Sequence, residues 1–472
     1  LAKPVWRPAR QAHSTVVARA AAPKLGNASR MSQGPGGGAA LGRVAWPTWE
    51  EQCTGRDGCW PRLLMLGTQK AATTALFQAL QQERLVCGAR VHPGVNYTSS
   101  GWQPNSGDFV QNQDIKEVHL LDATESGWQD VAANAKKYTS LFRHTDCQQS
   151  GDLPGRRFLD ATPAYLRTSS APARLVQIVP QRWLPELRML ILVREPIARD
   201  LSWYNHKLSE NEERKRAGSS GRFGFCAERL SGSSSSPALT YSAEASCQKS
   251  KLNTCMSRGA MLQRIHLHES FNFEEKVQML QEYWVCTNPD AIDDGGGPSL
   301  TWGFYAPQIA TWRSAKGLMR SQMLIIDYED LFEKSATTLN VITSFYGLPR
   351  LRNTRLPKAN TKASSAKVET ISCSTKQLLT EIYRPWNRML FNDLWQDHEQ
   401  GNHPQGEPRF EGFGDSRVKC SDATMSPTAE AQAPQKQSTT DGEFSGSVSG
   451  ARPNNNNGGG GSDFIECDLQ QW

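Results

Sequence analysis

Nowhere along the 472 residues does an apolar run approach the ~18 residues that a membrane-spanning helix needs. No transmembrane helix is therefore read in this chain. It opens on Leu1 rather than Met, which leaves room for a membrane anchor upstream of the residues given. Charge of one sign is scarcely in excess: 53 basic against 47 acidic residues leave a formal +6. That balance suits anionic ligands, and no nucleic-acid partner is expected from it. No internal repeat recurs. The 11 cysteines include no CxxC pair and no second cluster that would complete a zinc site, so no metal centre is expected. Cys53 lies close to Cys59, and Cys247 to Cys255. An odd count in a chain too long to need a disulfide scaffold predicts scattered buried thiols with one or two loop disulfides. Two glycosylation sequons, Asn27-Ala28-Ser29 and Asn96-Tyr97-Thr98, favour a secretory compartment.

Composition divides what is present. Residues 1–60 mix Ala, Arg, Gly and Pro without apolar periodicity and read as a stalk or tail. Residues 396–472 read likewise, with Asn454–Asn457 running into Gly458–Gly461. Such segments bury too little surface to offset the entropy of ordering them. A polar stretch over about 210–258, with Ser233–Ser236, reads as a surface insertion. Three short apolar runs remain inside 61–395: Leu63–Leu66, Arg188–Val193 and Met323–Tyr328. Each is followed by a helical pattern, over 70–82, from Pro196 to about Leu208, and over about 330–345. Buried strands alternating with helices predict an α/β fold, a central parallel sheet with helices on both faces.

The first strand runs into Gly67-Thr68-Gln69-Lys70-Ala71-Ala72-Thr73-Thr74. Small residues between a strand and a helix let backbone amides converge on an anion, which the helix dipole also favours. Lys70 adds a mobile charge, and Thr73 and Thr74 add hydroxyl donors. The run does not fit GxxxxGK[ST], the nucleotide-hydrolase loop. After the second strand comes Val193-Arg194-Glu195-Pro196-Ile197-Ala198-Arg199-Asp200-Leu201-Ser202-Trp203-Tyr204. There Arg194 offers a two-pronged guanidinium, and Ser202 a hydroxyl one to two helical turns on.

These two segments resemble the phosphate-binding elements of sulfotransferases that use 3′-phosphoadenosine-5′-phosphosulfate (PAPS). The first resembles the 5′-phosphosulfate loop GxxKxGTTxL, with Ala72 where glycine is usual. A positive φ at that position would cost alanine on the order of 1 kcal/mol. The second resembles the 3′-phosphate element R-[DN]-P-x-x-R-x-x-S-x-Y, with Glu195 at the Asp/Asn position. Asp160-Ala161-Thr162-Pro163-Ala164-Tyr165 resembles the [ED]-K-[ST]-P-x-Y segment of the heparan sulfate enzymes, with Ala161 in place of lysine. Lys116-Glu117-Val118-His119-Leu120-Leu121-Asp122 resembles K-E-P-H-F-F-D, which carries the catalytic glutamate in the 3-O-sulfotransferase branch. Gly303, Tyr305 and Trp312, the run Phe345–Pro349, and Tyr383–Asn387 match further family segments. The C-terminal loop K-G-R-x-H-P is matched poorly by Lys362–Lys367.

The resemblance implies transfer of a sulfuryl group from PAPS to a hydroxyl or amine of an anionic, glycosaminoglycan-like polysaccharide, in the Golgi lumen. It implies donor contacts from Gln69, Lys70, Ala71, Ala72, Thr73, Thr74, Arg194, Ser202 and Lys362, and acceptor contacts from Lys116 and Asp122. Lys70 would stabilise the leaving group. Glu117 would take the proton, with His119 the alternative because imidazole titrates near neutrality. Three other readings stand beside this one. They are a nucleotide kinase, a non-catalytic polysaccharide-binding protein, and a sulfotransferase for protein tyrosine or small molecules.

Overall fold

The computed structural model describes residues 59–90, 115–123, 128–142, 147, 156–218, 225–226, 240–257, 259–266, 273–286, 299–357, 371–401, 404, 413 and 418–421. Both glycosylation sequons and Lys362 lie outside these residues. Five strands are described: β1 (Leu63–Gly67), β2 (Val86–Cys87), β3 (Arg157–Asp160), β4 (Arg188–Val193) and β5 (Met323–Asp327). They form one sheet in the order β2-β3-β1-β4-β5, and every pairing is parallel. The helices are α1 (Thr73–Gln82), α2 (Val131–Ser140), α3 (Ala171–Ile178), α4 (Pro196–Arg216), α5 (Tyr241–Met256), α6 (Ala260–His266), α7 (Phe273–Cys286), α8 (Tyr305–Ser314), α9 (Asp330–Glu333), α10 (Ser335–Phe345) and α11 (Cys373–Glu399).

The central strands read as unbroken apolar runs because both faces are covered. Successive side chains still alternate between two separate cores. Leu63, Met65, Leu190, Leu192, Leu324 and Ile326 meet Leu76, Phe77 and Leu80 of α1 and Leu339 and Ile342 of α10. Leu64, Leu66, Met189, Ile191, Met323 and Ile325 meet Leu175 of α3, Ile309 and Trp312 of α8, and Leu390 and Leu394 of α11. The expected layering is thus present. The chain leaves β1 toward β3 on one side and reaches β4 and β5 on the other. The carboxyl ends of the strands beside β1 are where such a sheet opens a crevice.

A third core lies beside the sheet. There Ile197 and Tyr204 of α4 pack with Tyr241, Ala245, Leu252 and Met256 of α5 and with Tyr383 and Trp386 of α11. Both α5 and the end of α4 fall in the stretch expected to be a polar surface insertion. Their polar composition conceals an apolar stripe on α5 at helical spacing. α11 likewise runs past 395, burying Leu394 and Asp397. Arg313 and Arg320 both pair with Asp397. A chain cut at the compositional boundary would lose that carboxylate.

The expectation of one or two disulfides is corrected. Cys87–Cys147, Cys226–Cys247, Cys255–Cys286 and Cys373–Cys420 are bonded, and Cys59 is also in a disulfide. Cys247 and Cys255 do not pair with each other. Both lie on α5, and eight residues of helix separate them by about 12 Å, beyond disulfide reach. The described loops span 21 to 60 residues, each closure contributing roughly 3–4 kcal/mol in the chain-entropy picture. So many disulfides fit a secreted or lumenal protein. Among the described residues, no helix is long and apolar enough to cross a membrane.

Candidate active site

β1 delivers the chain to a loop fastened from below. The Thr68 amide and hydroxyl both donate to the Leu192 carbonyl of β4, at 2.8 and 2.7 Å. At Gly67, with φ of 151°, a Cβ would lie 2.8 Å from the Pro163 carbonyl oxygen, so a side chain is excluded there. Lys70 and Ala72 both adopt positive φ, 71° and 61°. Ala72 therefore sits in the left-handed conformation that glycine would adopt without cost. It is the N-cap of α1 and supplies no side-chain acceptor to that helix start. The first amides of α1 stay free to meet an anion. The helix begins at Thr73 rather than at 70, because the two left-handed residues cannot be helical. Ala71 is buried against the sheet, and Gln69 Oε1 is buried with no hydrogen-bond partner among the described residues.

Arg194 leaves the end of β4. One of its NH groups donates to the Lys70 carbonyl at 2.9 Å, and its guanidinium lies over the Tyr328 ring at 4.5 Å. Its Nε is buried without a partner among the described residues. Tyr305 donates its hydroxyl to the Arg194 carbonyl at 2.7 Å. Glu195 caps α4, accepting from the amides of Ile197 at 3.1 Å and Ala198 at 2.7 Å. The longer carboxylate thus does what an aspartate does at an N-cap. Ser202 lies two turns along α4, partly exposed.

The segment 116–122 is held by the Asp160–Tyr165 run. Thr162 Oγ1 accepts from the amides of Val118 at 2.7 Å and His119 at 3.3 Å, and donates to Asp160 at 2.7 Å. Tyr138 and Tyr165 donate to the other Asp160 oxygen at 2.8 and 2.9 Å. Burial pushes the Asp160 carboxyl up to about 6, against the pull of these three hydroxyls. Ala161 is fully buried, and its amide donates to the Lys116 carbonyl at 3.0 Å. Such a platform explains why Asp, Thr and Tyr stand at those spacings.

On this platform Lys116 pairs directly with Glu117. His119, at φ of 56°, bridges Glu117 at 3.1 Å and Asp122 at 2.9 Å. Burial alone would raise Glu117, but Lys116 and His119 outweigh it and hold the carboxyl down to about 2. Burial alone would lower His119, yet Asp122 and Glu117 hold it up to about 10. At neutral pH the loop therefore carries a carboxylate and an imidazolium.

Lys70 faces this loop and α4 together. Desolvation is the main cause that lowers its amine to about 8; Lys207 and Lys116 add to this, against the pull of Glu210 and Glu117. Its Nζ lies 5.7 Å from the Trp203 ring centroid, and Lys207 Nζ lies 4.4 Å from the same ring. Lys207 in turn pairs with Glu210 at 2.9 Å. Trp203, Lys207 and Glu210 were not among the expected site residues. Their spacing, one helical turn apart along α4 just after the Arg194 element, is the signal that could have found them.

Residues 61–389 match the family model described as Sulfotransferase domain. The chain belongs to the sulfotransferase family. Among solved structures it is similar to the crystal structure of a sulfotransferase from Alicyclobacillus acidocaldarius, at 16% identity and a TM-score of 0.34. That likeness covers 71% of this chain and 95% of the other. No curated protein matches the chain. In this sulfotransferase the structure brings the Lys70 loop, Arg194 and the Lys116–Asp122 segment to one end of the sheet. Among the described residues no group of three or more His, Cys, Asp or Glu side chains could hold a metal ion.

Proposed function

We propose that this sulfotransferase moves a sulfuryl group from PAPS to a hydroxyl or amine of a glycosaminoglycan-like polysaccharide. The observation that carries this reading is the meeting of Lys70, on its uncapped helix start, with the Glu117–His119–Asp122 bridge. The residues fit the donor: uncapped α1 amides and the desolvated Lys70 suit one phosphate, and the unpaired Nε of Arg194 with Ser202 suits the other. PAPS supplies the sulfuryl group and departs as the 3′,5′-bisphosphate.

Lys70 and the α1 amides stabilise negative charge that grows on the departing oxygen. Glu117 accepts the acceptor's proton as the new bond to sulfur forms, since a carboxylate held so low cannot ionise a sugar hydroxyl beforehand. Against its desolvation, Asp122 and Glu117 hold the His119 imidazole up to about 10, which favours Glu117 over His119 as the base. His119 orients Glu117, with Asp122 holding its far nitrogen. Lys116 neutralises Glu117 and contacts the acceptor. The disulfides support a lumenal setting, and the resemblance points to the Golgi with an anchor upstream of Leu1.

The test is sulfation with radiolabelled PAPS of desulfated polysaccharides, beside tyrosine peptides and small phenols. Label in a polysaccharide supports the reading, whereas label confined to peptides or phenols overturns the acceptor class. Melting scans with the 3′,5′-bisphosphate and with ATP test the donor, and equal shifts would overturn PAPS.

A further inference from the structure

Arg167 ends the short turn Tyr165–Arg167, just beyond the platform that holds Glu117. Its guanidinium lies over the Trp302 ring, 3.7 Å from the centroid. Trp302 meets Trp203 edge-on at 4.7 Å, and Trp203 is the ring that Lys70 and Lys207 approach from α1's loop and from α4. The aromatic pair therefore sets Arg167 at a fixed place beside the reacting groups. Its Nε and one NH group are buried with no hydrogen-bond partner among the described residues. Native structures rarely leave buried guanidinium donors unmade, because the desolvation is then uncompensated.

Among the charges that act on Arg167 are Asp122, Arg199, Glu117 and Lys207. Two of these, Asp122 and Glu117, belong to the base loop. Neither carboxylate hydrogen-bonds to it: Glu117 is engaged by Lys116 and His119, while Asp122 gives one oxygen to His119 and its Oδ1 is buried without a hydrogen-bond partner among the described residues. Although burial lowers the guanidinium to about 10, it is still charged at neutral pH.

We propose that Arg167 binds an acidic group of the acceptor, a carboxylate or a sulfate ester, beside the hydroxyl or amine presented to Glu117. A planar fork stacked on an indole is preorganised for a two-oxygen anion. This inference rests on the polysaccharide reading above.

The experiment compares the wild type with Arg167→Met, which keeps length and ring contact but removes the donors, and with Arg167→Lys. Each is assayed on one oligosaccharide backbone in three forms: intact, carboxyl-reduced and desulfated. Affinity for the 3′,5′-bisphosphate is measured by calorimetry. The wild type should lose roughly 10- to 100-fold in kcat/KM when the recognised anion is removed from the acceptor. Arg167→Met should show the same loss on the intact acceptor, mainly in KM, and no further loss when that anion is removed. The arm in which the wild type suffers tells carboxylate from sulfate. Arg167→Lys should fall between, and decides the matter if Arg167→Met does not fold. Bisphosphate affinity should be unchanged. An unmoved acceptor KM, a weakened bisphosphate affinity, or an equal fall in kcat on all three acceptors would each overturn the assignment. A wild type that sulfates no carbohydrate removes the polysaccharide reading and this inference together. An active wild type with an indifferent Arg167→Met removes only the inference.

Discussion

An NH group of Arg194 donates to the carbonyl oxygen of Lys70 at 2.9 Å, across 124 residues of sequence. The side chain suited to one end of the donor also braces the loop suited to the other. Arg194→Ala should therefore slow the bound complex as well as weaken donor binding. A charged hydrogen bond contributes about 1.5–3 kcal/mol, so roughly 10- to 100-fold is expected, shared between the two. Calorimetry with the bisphosphate and single-turnover rates separate them. A variant that loses affinity alone would show that the Lys70 contact is idle in turnover.

Burial places the Lys70 amine near 8, so its charge is present below that pH and is lost as pH rises through it. kcat/KM for PAPS, which reports the free enzyme, should fall on the alkaline side of about 8. Bound phosphate should move the corresponding limb of kcat to higher pH. Lys70→Arg, which stays charged, should flatten the limb. An alkaline limb unchanged in Lys70→Arg would assign it to another group.

Glu117→Gln keeps the shape and removes the proton acceptor. Turnover should fall about 100- to 10,000-fold while bisphosphate affinity is retained. His119→Asn tolerates the left-handed backbone and keeps a donor, so its loss should be the smaller of the two. The reverse order in single-turnover assays would make His119 the base.

Ala72 occupies a left-handed conformation, with φ of 61°, at the N-cap of α1. Ala72→Gly removes a strain of roughly 1 kcal/mol, partly offset by the greater freedom of unfolded glycine. The melting temperature should rise by about 1–2 °C with activity kept. A fall would mean that the alanine methyl packs better than its backbone strains.

What the amino-acid order determined by itself is what neighbours along the chain decide. Leu63–Leu66, Arg188–Val193 and Met323–Tyr328 announced a doubly covered parallel sheet, because strands buried on both faces leave no polar alternation. The Lys70 loop and the Arg194 element were legible for the same reason, each being a strand end, a turn and a helix start in one short span. Helix α5 reads as surface in sequence because its polar residues outnumber the apolar stripe that only its packing partners single out. Cysteine pairing was hidden too. Cys247 and Cys255 are neighbours in sequence but face different partners, Cys226 and Cys286. The contacts that surround Glu117 and His119 were also beyond the sequence. Both are plausible bases as free side chains, and only the tertiary structure sets Lys116 and His119 against Glu117, and Asp122 against His119, in a half-buried place. Coulombic interaction depends on separation and on desolvation, neither of which is written in the order of residues.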